Sequence, residues 1–80
     1  MTLYNIMLCN EIPFTGKQST FEDLRVQLGD AIYWKTHKHV YKMIITRVED
    51  NVVYALPEGS DPTKEEERVI GYVLNTYHLN

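Results

Sequence analysis

Residues 28–57, LGDAIYWKTHKHVYKMIITRVEDNVVYALP, constrain the fold more than any other stretch of the chain. Val40 to Glu49 and Val52 to Leu56 are rich in β-branched and aromatic side chains, which suit a pleated, half-buried surface. Only Asp50-Asn51 separates the two runs. Asp and Asn tolerate positive φ better than other non-glycine residues, so the dipeptide predicts a tight two-residue loop and an antiparallel hairpin. Ala31 to Lys35 supplies a preceding strand, with a turn over Thr36 to His39.

The flanking segments are less decisive. In residues 2–9, TLYNIMLC, Tyr4, Ile6 and Leu8 alternate with Leu3, Met7 and Cys9, which fits a strand packed on both faces. Asn10 to Thr20 reads as a connection, punctuated by Pro13 and Gly16. Ser19-Thr20-Phe21-Glu22 fits a capping box, Phe21, Leu24 and Leu28 share a helical face, and Gly29 suits a left-handed helix end. A short helix over 20–28 is therefore expected; the competing pattern is an extended one with Val26 and Leu28 alternating. In Arg68 to Leu79 the positions Val69, Ile70, Val73, Leu74 and Tyr77 have helical spacing. Val, Ile, Tyr and Thr nevertheless dominate that segment and Gly71 interrupts it, so strand is preferred.

The expected class is mainly β, with four to five short antiparallel strands and one short helix near 20–28. Over residues 26–79 this pattern resembles the small SH3-like β-barrels, a likeness of architecture that transfers no functional residue. The alternative is α+β, a three-stranded meander with a C-terminal helix, whose unpaired edge strand would invite a homodimer. Eighty residues make one domain, 1–80. The one cysteine, Cys9, excludes an intrachain disulfide, and no apolar run approaches the ~18–20 residues that span a bilayer. A cytoplasmic protein without a membrane segment is the expectation.

The chemistry is concentrated in two places of opposite sign. Lys35, Lys38, Lys42 and Arg47 lie between Asp30 and Glu49 with no acid among them, interleaved with Tyr33, Trp34 and Tyr41. Residues 57–67, PEGSDPTKEEE, set five acids against Lys64. Cations beside aromatics are how sheet surfaces bind single-stranded nucleic acid. A chain of net charge −3 with segregated signs instead suits steering of a complementary protein. In a small barrel Trp34 would be core and Tyr33 exposed, and Tyr, Trp and Arg are the residues that anchor interfaces.

Catalysis finds little support. Phosphate-loop, nucleophile-elbow and HExxH patterns are absent, and Cys9 sits in an apolar segment that favours an inert thiol. His37-x-His39 has usable metal spacing, but only Cys9 and His78 remain to complete a set of three or four ligands. No catalytic residue, metal or cofactor is expected. The sequence reading is a non-enzymatic binding module that docks onto a protein partner and modulates it, in the manner of an accessory or inhibitor protein of bacterial or mobile-element origin. Its contact residues would be Tyr33, Lys35, His37, Lys38, Tyr41 and Lys42, with Glu65 and Glu66 as a second contact. The alternative is a nucleic-acid-binding barrel using strand residues 31–47.

Overall fold

The computed structural model describes residues 1–9, 21–35 and 38–79, with the backbone alone at Phe21, Glu22 and Lys35. Six strands follow in chain order: β1 Thr2–Cys9, β2 Phe21–Val26, β3 Ala31–Lys35, β4 Val40–Glu49, β5 Val52–Pro57 and β6 Arg68–His78. They form one sheet in the order β2-β1-β6-β5-β4-β3, each neighbour antiparallel to the next. No helix occurs among the described residues, so none there is long and apolar enough to cross a membrane.

The connectivity forces the sheet to curl. β2 and β3 are its two outermost strands, yet only residues 27–30 join them. Five spacings of a flat sheet would hold these edges about 24 Å apart. The five Cα–Cα steps from Val26 to Ala31 reach at most about 18 Å. The sheet therefore bends into a half-barrel, and the linking turn is tied internally. The Gln27 amide donates to Asp30 Oδ2 at 3.0 Å and the Asp30 amide to the Gln27 carbonyl at 3.1 Å. At the other end of β3, the Trp34 indole N–H donates to the carbonyl of Cys9, so a buried β3 side chain reaches the end of β1.

Three bulges supply the local bend. Thr46 is the extra residue of β4 against β5, Ile70 that of β6 against β5, and Leu74 that of β6 against β1. Bulged strands twist and bend more strongly than regular ones. Inside the curl, Ile6, Leu8, Val26, Ile32, Trp34, Met43, Ile45, Val53, Ala55 and Ile70 form one buried cluster. Strict alternation in β3 (Ile32, Trp34), β4 (Met43, Ile45) and β5 (Val53, Ala55) places them on the inner face.

The predicted hairpin is present: Asp50 and Asn51 take φ of 53° and 64°, and Glu49 pairs with Val52. Arg68–His78 is strand throughout, so the C-terminal helix of the α+β alternative is absent. Among the described residues the strands number six, where four to five were expected.

The helix expected over 20–28 is overturned, because Phe21–Val26 is a strand paired to β1. Leu24 and Val26 sit opposite Ile6 and Tyr4, and this period-two burial beats the local helical spacing. Leu28 is exposed in the turn, and Gly29 does adopt positive φ, at 89°, in the β2–β3 turn. The capping residues Ser19 and Thr20 lie outside the described residues.

Candidate functional site

Of the residues singled out in the sequence, the outer face of β3-β4-β5 carries Tyr33, Lys42 and Arg47. Cross-strand register sorts them into rows, since directly paired residues share a face. Tyr33 pairs with Lys42, and the Glu58 amide donates to the Lys42 carbonyl at 2.8 Å, continuing this row past β5. Ala31, Ile44 and Leu56 make the next row, and Arg47 with Tyr54 the third. Tyr33 is 67% exposed, whereas the adjacent Trp34 is buried.

Tyr41 does not join this face. It pairs with Trp34, packs against the core and lies with its ring 6.3 Å from the indole. The contact patch expected from Tyr33, Lys35, His37, Lys38, Tyr41 and Lys42 is thus divided by the pleat. Lys38 is exposed, the Lys35 backbone closes β3, and His37 lies outside the described residues.

Arg47 reaches the outer face through a break in the alternation of β4. Uninterrupted alternation would put it with Tyr41, Met43 and Ile45 on the inner face. The Thr46 bulge inserts one residue and turns Arg47 outward, where its guanidinium lies 3.9 Å from the centre of the Tyr54 ring.

Residues 58–67 then fold back over this face as a strap. At its start Lys42 Nζ and Glu58 Oε2 are 2.9 Å apart, and the hydrogen bond from Lys42 to Glu58 chiefly raises the ammonium above the usual lysine range. At its end Glu67 accepts from Arg47 Nε at 3.0 Å and from the Thr46 hydroxyl. Arg47 also pairs with Glu49, foremost, and this with Glu67 holds its guanidinium above the ordinary arginine value. Between these clamps Asp61 accepts from the Thr63 amide at 2.9 Å and hydroxyl at 2.7 Å, and its backbone carbonyl accepts from the Lys64 and Glu65 amides. The Thr63 bonds hold the Asp61 carboxyl below its usual range. Residues 61–65 therefore make a single turn capped by the Asp61 side chain.

The strap explains one anomaly of burial. Leu56 belongs to the outer face, yet it is only 6% exposed. Beside it opens a cleft of about 530 Å³ lined by Thr46, Arg47, Tyr54, Leu56 and, from the strap, Pro62, Glu65, Glu66 and Glu67. Glu65 and Glu66, both singled out from the sequence, stand exposed on its rim and make no ion pair among the described residues. Tyr54, Leu56, Thr46 and Glu67 were missed. Tyr54 and Leu56 share one parity in a predicted strand, and that was their only signal. A second set of exposed apolar residues, Tyr72, Leu74 and Tyr77, lies on β6, with Arg25 5.1 Å from the Tyr77 ring centre.

Comparison with protein-family models, with curated proteins and with solved structures finds no match for this chain.

Proposed function

We propose that the chain is a non-enzymatic binding module that docks onto a protein partner through the outer face of β3-β4-β5 and modulates it. The observation that carries this reading is that the basic strand and the acidic strap share one face, with Lys42 paired to Glu58 and Arg47 to Glu67. A nucleic acid approaching Lys42 or Arg47 would meet these carboxylates first, and phosphate binding depends on unscreened cations. A protein surface of mixed charge meets an exposed tyrosine anchor, Tyr33, beside charges of both signs. In this proposal Tyr33, Lys38 and Lys42 make one end of the contact, with Lys35 and His37 as their sequence neighbours, and Glu65 and Glu66 make the other. Tyr41 serves by holding the Trp34 end of the sheet. The curled sheet is read as an SH3-like barrel, and the role as that of a cytoplasmic accessory or inhibitor protein.

The test uses the wild type and the Tyr33→Ala/Lys42→Ala variant as cross-linking baits in extract of the native host. A specific partner that is recovered by the wild type and lost from the variant is the expected result. A partner held equally by both removes this face from the contact. Oligonucleotide binding at low salt, falling steeply with salt and lost in Lys38→Ala/Lys42→Ala, would replace the protein reading with the nucleic-acid one.

A further inference from the structure

Resting on that docking reading, we infer that the cleft beneath the strap receives a basic, extended segment of the partner, with an arginine or lysine seated between the Tyr54–Leu56 floor and the Glu65–Glu66 rim. The shape comes first. The cleft is open, about 530 Å³, and lined by an aromatic ring, a leucine and the Pro62 ring, which suits the aliphatic stem of a long side chain.

The charge of the occupant follows from the lining. The lining holds one guanidinium, that of Arg47, and three carboxylates, Glu65, Glu66 and Glu67, a surplus of two negative charges. Glu67 and Arg47 answer one another, so the surplus resides on Glu65 and Glu66. The site also displays how it holds a cation, because Arg47 already lies over the Tyr54 ring with carboxylates on either side, Glu49 and Glu67. A second cation from a partner would repeat that chemistry one step along the strap. Among the described residues no three His, Cys, Asp or Glu side chains converge as metal ligands do.

The probe is a fluorescein-labelled hexapeptide alternating arginine and leucine, titrated into the full chain and followed by anisotropy and by amide chemical shifts. A second peptide carries glutamate in place of each arginine. Expected are shifts confined to Thr46, Arg47, Tyr54, Leu56 and residues 63–67, and affinity about fivefold weaker in Glu65→Gln/Glu66→Gln, in line with exposed ion pairs. Asp23→Asn, an equal charge change per site at an exposed position of β2, should leave affinity within about twofold. Affinity unchanged by the double variant, an equal loss in Asp23→Asn, shifts elsewhere, or preference for the acidic peptide would each overturn the inference. None of these outcomes touches the host-partner test at Tyr33 and Lys42, so the docking reading stands or falls separately.

Discussion

The Glu67 carboxylate and the Arg47 guanidinium, twenty residues apart in the chain, meet at 3.0 Å and fasten an acidic strap across the outer face of β4 and β5. Both groups are solvent-accessible, so the fastening is electrostatic and sensitive to screening. Glu67→Gln should loosen the strap without unfolding the sheet. Amide exchange at Thr63, Lys64 and Glu65 is expected to speed up several-fold, while β4–β5 ladder amides keep their protection. About 1 M salt should give the wild type the same pattern, and equal acceleration in strap and ladder would refute a separate latch.

Trp34 is the second point of control. Its buried indole packs in the core and donates across the barrel seam to the Cys9 carbonyl. Trp34→Phe removes the donor and leaves a smaller ring, which should cost about 2–4 kcal/mol in urea unfolding followed by circular dichroism. Tyr33→Ala, one residue away on the exposed face, should change stability by less than about 0.5 kcal/mol. Comparable losses at both positions would contradict the inner and outer assignments.

Gly71 lies on β6 opposite Leu8 of β1. A Cβ there would collide with the Met7 carbonyl oxygen and lie 3.1 Å from Leu8 Cα. These are backbone atoms with no rotamer to move, so Gly71→Ala is expected to destabilise by about 1–3 kcal/mol, toward the upper end. A thermal melt of this variant matching the wild type would show that β1 and β6 tolerate separation.

Acid should loosen the strap turn. The Asp61 carboxyl is held below its ordinary value by its bonds from Thr63. A depressed folded pKa contributes stability that is present above the unfolded value, about 3.9, and is lost as pH falls through the folded one. The Thr63 amide resonance should therefore move in a transition below about pH 4. Asp61→Asn keeps an acceptor oxygen but no titrating group, and should abolish that transition; its persistence would assign the effect elsewhere.

The sequence revealed those parts of the fold that depend on nearest neighbours. Asp50-Asn51 required positive φ and received it, and adjacent Tyr33 and Trp34 had to point to opposite faces of a strand. Phe21–Val26 was misread because Leu24 and Leu28 satisfy helical spacing, and only pairing with Ile6 and Tyr4 decides otherwise. The parity of Arg47 was illegible for a related reason. The bulge at Thr46 shows only in the pairing of β4 with β5, and nothing in the strand's own residues marks it. The charge segregation is legible in the sequence, which leaves two outcomes open for the acidic run, screening the basic strand or facing a partner; in the structure it lands on the face of its basic counterpart.

The strand order carries a consequence for how the molecule comes to be. β6, the sixth strand along the chain, occupies the third place in the sheet, between β1 and β5. Until it is in position, the chain holds two separate pieces, the β1–β2 pair and the β3–β5 meander, with no ladder between them. The β1–β6 pairing brings Thr2 opposite His78, so its closure spans nearly the whole sequence. Contacts of such separation slow folding, and on a ribosome the join must wait for the C-terminal strand to emerge.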